Sequence, residues 1–138
     1  MRANPRETKF GRMTVGQVME KNVQSGRKDT SAEMLASYMM EGFGSVPIVD
    51  ETGRLVGIVS EFDLLKALRQ GRKLQEVTAG EIMSCRPVSA TQNMDLVTLI
   101  DVLQNNHLIR VPVVDATGKL IGIVARRDVL RGYLQAGE

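Results

Sequence analysis

Two short stretches carry residues able to do chemistry, and each ends in an aspartate. Ser60-Glu-Phe-Asp63 sets a hydroxyl and a carboxylate three residues apart. Ser60 follows an apolar run and opens a segment of helical pattern. Its hydroxyl can therefore cap the helix or meet a phosphate at the positive helix end. Asp63 lies one turn in, where a carboxylate accepting two hydrogen bonds suits the vicinal hydroxyls of a ribose. The same pair also fits a plain capping arrangement, with Asp63 favoured by the helix dipole. The second stretch is Ala125-Arg-Arg-Asp128. Here the hydroxyl is gone, Asp128 stays available for a ribose, and Arg126 and Arg127 add positive charge. Two unequal sites are expected, the second binding weakly, taking a more phosphorylated ligand, or staying empty.

These stretches are positioned by a chain that repeats itself. Met13-Thr-Val-Gly-Gln-Val-Met19 matches Val77-Thr-Ala-Gly-Glu-Ile-Met83, and the run Val46–Val59 matches Val111–Val124. The two registers differ by one residue, which places a single insertion near Arg27–Lys28. Each copy reads as helix, strand, helix, hairpin, helix. In the second copy Leu96, Leu99, Ile100 and Leu103 form one apolar helical stripe, and Met34, Leu35, Tyr38 and Met39 do so in the first. Thr30-Ser-Ala-Glu33 has capping-box spacing. Gly42 supplies a left-handed stop, and His107 takes that position in the second copy. Asp50-Glu-Thr-Gly53 and Asp115-Ala-Thr-Gly118 are hairpin turns between apolar runs. The strand Leu55–Val59 is apolar on both faces, so burial on both sides is expected. Leu64, Leu65 and Leu68, or Val129, Leu130, Tyr133 and Leu134, mark a closing helix.

The fold class that follows is α+β, with two pseudo-symmetric repeats packed through their small sheets. The division is residues 13–68 and 77–134, a linker over 69–76, and mobile tails at 1–12 and 135–138. The 138 residues, 43% hydrophobic and 25% charged, are ordinary for a globular protein. A single cysteine, Cys85, permits no intramolecular disulfide, and no apolar stretch approaches a membrane span. The cytoplasm is the expected location. A net charge of +2 does not argue for nucleic acid, and low aromatic content argues against base-stacking platforms.

The Val-Pro-Ile-Val-Asp block, the Thr-Gly turn and Gly57-Ile-Val-Ser-Glu-Phe-Asp63, present twice with the Val18-Met19 and Ile82-Met83 helix endings, resemble the cystathionine-β-synthase (CBS) domain family. The resemblance runs from about Thr14 to Leu68 and from Thr78 to Leu134. It implies a Bateman module, in which paired domains bind adenosine-containing ligands in clefts between the copies and often assemble as homodimers. By that resemblance Ser60, Asp63 and Asp128 are the polar part of a nucleotide site. Arg110, before Val111-Pro112, stands where adenylate-sensing members contact phosphates; a guanidinium fork suits phosphate oxygens. A solvated or salt-bridged arginine fits equally. Its counterpart is Ser45. Val46-Pro47 and Val111-Pro112 could set apolar surface against an adenine, or simply pack at a strand edge. Arg127 completes the candidate set.

The function implied is a regulatory module that binds AMP, ADP or ATP, with S-adenosylmethionine or NAD(H) as further candidates, and signals by changing shape. No cofactor is required, and an effector protein would receive the signal. The alternative is an interaction or oligomerisation module with a vestigial nucleotide site, as Ala125 suggests. Catalysis is disfavoured: the chain offers no nucleophile–histidine pairing, and one histidine excludes a histidine metal cluster.

Overall fold

The computed structural model describes residues 2–137 and is α+β, with two three-stranded sheets. In chain order the elements are α1 (Val15–Val18), α2 (Ala32–Met40), β1 (Ser45–Val49), β2 (Leu55–Ser60), α3 (Glu61–Arg69), α4 (Ala79–Ile82), β3 (Ser84–Cys85), β4 (Ala90–Thr91), α5 (Leu96–Asn105), β5 (Arg110–Val114), β6 (Leu120–Ala125) and α6 (Arg126–Ala136). Short 3-10 turns add Pro5–Glu7, Phe10–Arg12 and Leu74–Glu76. The sheet orders are β1-β2-β3 and β4-β5-β6.

Local chemistry sets the element ends. The Asp50 carboxylate accepts the Thr52 N–H (2.9 Å), and Gly53 takes φ +86° to turn the β1–β2 hairpin. Asp115, Thr117 and Gly118 repeat this arrangement. α5 starts on Asp95, whose Oδ1 accepts the Thr98 N–H at 2.8 Å. It stops where His107 enters the left-handed region at φ +53°, as Gly42 does after α2 at φ +109°. The expected cap at Thr30 is displaced by one residue. Ser31 caps α2 by accepting the Met34 N–H, while Thr30 turns back to accept the N–H of Arg27. The extra residue of the second repeat is not near Arg27–Lys28. It lies in the long helix, ten residues in α5 against nine in α2.

The compact units do not follow the sequence repeats. One unit comprises residues 1–23, 88–117 and 121–138; the other comprises 24–87 and 118–120. In the first unit α1, from the first repeat, buries Val15 and Val18 among Leu96, Leu99, Val111, Val124 and Val129 of the second. In the other, Val77 and Ala79 join Leu35, Ile48, Val59 and Leu64. Each repeat thus lends its opening helix to the unit of the other. Val15 is fully buried and Val18 nearly so, worth roughly 1.5–3 kcal/mol per side chain, which is ample to hold a four-residue helix in place.

The same crossing explains two repeated sequence features. β3 pairs antiparallel with β2, setting Cys85 opposite Gly57, and Glu20 bridges Ile123 in the matching place. Gly57 lies against Met83, and Gly122 against Met19. The methionine closing each opening helix is packed on the glycine of the other repeat's second strand.

Three apolar expectations are corrected. Met34 is 48% exposed rather than part of the α2 stripe, which reduces to Leu35 and Met39 with Tyr38 at its edge. Leu65, Leu68, Leu130, Tyr133 and Leu134 stay largely exposed, while Leu64 and Val129 carry the core contact of their helices. β2 is half-buried at Val56 and Ile58 rather than covered throughout. Neither end is a loose tail among the described residues. Phe10 packs on the core and meets the Tyr133 ring edge-on at 5.6 Å, and α6 carries Gln135 and Ala136, the latter buried. Met1 and Glu138 lie outside the described residues.

Candidate functional site

In the unit of β1, β2 and α3, the Ser60–Asp63 pair sits where β2 runs into α3. Asp63 Oδ2 accepts the Ser60 N–H (2.8 Å) and the Ser60 hydroxyl (3.0 Å), while Ser60 Oγ accepts the Asp63 N–H at 3.3 Å. The capping reading of these residues is therefore present in full. It uses one carboxylate oxygen. Asp63 Oδ1 accepts no bond from the described residues and is held in a fixed orientation by its partner oxygen. Asp63 also lines a cavity of about 200 Å³ with Lys66, Gln70, Arg72, Glu81 and Ile82. Arg72 and Glu81 are ion-paired there, and the Arg72 hydrogen bond, with further bonds from Thr78, holds the Glu81 carboxyl below its ordinary value.

Ser45 stands opposite Ser60 in the β1–β2 register. Its Oγ is buried and has no hydrogen-bond partner among the described residues, a condition that usually costs about 1–3 kcal/mol. A polar group reaching this strand end would satisfy it. Val46 and Pro47 are fully buried, Val46 in the core and Pro47 giving its carbonyl to the Gly26 N–H. Val111 and Pro112 are buried likewise. All four serve packing in this structure.

The matching place in the other unit is built differently. Ala125 has no hydroxyl, so half of the reciprocal cap is missing, and Asp128 Oδ2 accepts the Ala125 N–H (2.8 Å) alone. Asp128 is 7% exposed, and its Oδ1 accepts from Arg131 at 2.6 Å. Arg131 also donates to the Val18 carbonyl at 3.4 Å. Asp128 is therefore engaged through both oxygens and is not the free acid that its sequence position suggests. Arg131 was absent from the sequence-based candidates; its i, i+3 spacing from Asp128 is the one signal that could have found it. The Arg126 N–H donates to the Ile109 carbonyl (2.9 Å), which gathers Arg110, Arg126 and Arg127 at one strand end. Arg110 is half-buried; Arg126 and Arg127 are exposed.

Two three-stranded sheets, crossed opening helices and a repeated strand-to-helix acid define a tandem α+β pair. The CBS domain family matches residues 15–70 and 79–135, and the chain belongs to that family as a tandem pair. Among its relatives is an uncharacterized protein of Methanopyrus kandleri, 36% identical over 86% of this chain and 62% of that protein. The chloroplastic CBS domain-containing protein CBSX1 of Arabidopsis thaliana is 28% identical over 96% of this chain and 69% of its own length. Of solved structures, CBSX2 in complex with AMP superposes with a TM-score of 0.79 at 30% identity, covering 91% of this chain and 99% of that one. The CBS domain pair of protein MJ0100, in complex with 5'-methylthioadenosine and S-adenosyl-L-methionine, gives 0.78 at 28% identity, covering 89% and 97%.

Proposed function

We propose that this chain is a regulatory CBS pair that binds an adenosine-containing ligand and signals by changing shape. The observation that carries the reading is Asp63: one oxygen fixed by the Ser60 backbone, the other open, at the positive end of a nine-residue helix. Such a carboxylate is oriented to accept the hydroxyls of a ribose. The buried, unpartnered Ser45 hydroxyl opposite Ser60 supports a polar group arriving at the same strand end. The AMP complex of CBSX2 and the S-adenosylmethionine and methylthioadenosine complex of MJ0100 support the ligand class. AMP, ADP and ATP are the first candidates. S-adenosylmethionine and NAD(H) follow. The role is binding rather than catalysis, no cofactor is needed, and the protein works in the cytoplasm with an effector protein as its listener.

Self-association is part of this reading. α3 exposes Phe62, Leu65 and Leu68, and α6 exposes Leu130 and Leu134, all more than half accessible. Apolar faces of this kind are a usual mark of an interface, and a homodimer is the assembly proposed. The second reading, an interaction module with a vestigial nucleotide site, draws on Ala125 and on these faces. Isothermal titration with AMP, ADP, ATP, S-adenosylmethionine and NADH separates the two. Saturable binding of one adenosine compound supports the sensor, and no heat with any of them, in folded and ligand-free protein, favours the interaction module.

A further inference from the structure

We infer that Arg131 sets the two repeated acids apart: Asp128 is a structural acid locked to α1, and the chain takes one adenosine-containing ligand, on Asp63. This rests on the ligand class proposed above and names which acid serves it. The two places can be compared residue by residue within their own units. Asp63, Lys66, Ala67 and Ile82 in one correspond to Asp128, Arg131, Gly132 and Val18 in the other.

In the Asp63 unit the lysine makes no ion pair among the described residues, and Asp63 and Lys66 line an open cavity of about 200 Å³. In the Asp128 unit the arginine guanidinium spans from Asp128 Oδ1 (2.6 Å) to the Val18 carbonyl (3.4 Å). Gly132 makes that reach possible. A β-carbon there would stand 2.9 Å from Val18 Cγ1, so the glycine lets α6 approach the end of α1 closely. At Ala67 the first repeat keeps that β-carbon. A lysine is a point charge on a flexible stem, whereas the arginine fork donates to two acceptors at once, so exchange of one for the other is not neutral here. Asp128 is 7% exposed and each of its oxygens already has a partner, whereas Asp63 keeps Oδ1 without one among the described residues.

Equilibrium dialysis of radiolabelled AMP against the full chain tests this. Native protein is expected to take up one equivalent per chain. Asp63→Asn weakens uptake at least tenfold, Asp128→Asn changes it less than twofold, and Arg131→Lys, giving the second repeat the residue of the first, raises the stoichiometry above one. Two equivalents in the native protein would overturn the inference. So would loss of uptake in Asp128→Asn equal to that in Asp63→Asn, or a stoichiometry still at one in Arg131→Lys. Melting temperature supplies a readout that needs no ligand. The lock requires Asp128→Asn and Arg131→Met to melt lower than Asp63→Asn and Lys66→Met respectively, and equal melting in these pairs would overturn it. Absence of AMP uptake by native protein counts against the sensor function itself, and the melting comparison then still decides whether Asp128 is locked.

Discussion

Met83 lies on Gly57 so closely that a β-carbon at Gly57 would stand 2.4 Å from Met83 Sδ and 3.0 Å from the Ser84 carbonyl oxygen. The contact joins the end of the second repeat's opening helix to the second strand of the first repeat's hairpin. A methionine thioether can shift, but a backbone carbonyl on a paired strand has little freedom.

Gly57→Ala is therefore expected to destabilise the protein by about 1–3 kcal/mol, the usual range for overpacking. Gly122→Ala, facing Met19 Sδ at 2.8 Å, should cost less. Urea denaturation of the single variants and of Gly57→Ala with Met83→Ala checks the contact. Coupling between the two sites, visible as non-additivity, is the predicted outcome.

The Ser60 cap gives a paired prediction. Ser60→Ala removes the acceptor for the Asp63 N–H and the hydroxyl bond to Asp63 Oδ2, at a cost of about 0.5–2 kcal/mol. Ala125→Ser restores the missing half of the same box in the second repeat and should stabilise by a similar or smaller amount. Thermal melts of both variants without ligand read the two signs directly.

Much of this is legible in the sequence. The hairpin turns Asp50–Gly53 and Asp115–Gly118 and the left-handed stops at Gly42 and His107 are local, each specified by one residue's backbone preference. So is the missing half of the second cap, because Ala125 lacks a hydroxyl whatever surrounds it. What escaped depends on partners distant in sequence. A repeat read along the chain assigns Val15 and Val18 to their own copy, since nothing in their pattern states which core they enter. Thr30 and Ser31 are chemically interchangeable as caps, so only the fold decides between them. The Arg131–Asp128–Val18 tie crosses from residue 131 to residue 18, and the sequence carries no trace of it beyond the i, i+3 spacing.

Phe10 shows the same limit at the N-terminus. It packs on the core of its unit and against Tyr133, and Leu74 packs on the other core from the corresponding place. Half-burial of such a ring contributes about half of the roughly 1.5–3 kcal/mol that full burial gives. Removal of residues 2–12, or Phe10→Ala alone, should lower the melting temperature measurably, whereas substitution of the exposed Arg2 by alanine should change it much less. Differential scanning calorimetry distinguishes the two.

Asp95 ties stability to acid pH. The Thr98 backbone N–H is the main reason that its carboxyl titrates below the ordinary aspartate value, with the Thr98 hydroxyl and Arg6 adding to the effect. The folded pKa lies under the unfolded one, so the contribution is complete above the ordinary aspartate value of roughly 4 and is lost as pH falls through the lowered folded value. Unfolding free energies measured down to about pH 2 should fall less steeply in Asp95→Asn than in native protein across that window. Parallel profiles would remove Asp95 as a source of the dependence.

The melting temperatures of native protein and of Asp63→Ala across an AMP concentration series test most directly whether Asp63 holds the ligand. A ligand held by Asp63 stabilises the folded state by about 2.7 kcal/mol at a hundredfold excess over Kd, a rise on the order of 5–15 °C for a chain of this size. A saturable rise is expected in native protein, and it disappears in Asp63→Ala. A rise of equal size in both proteins would contradict the assignment of the ligand to that carboxylate.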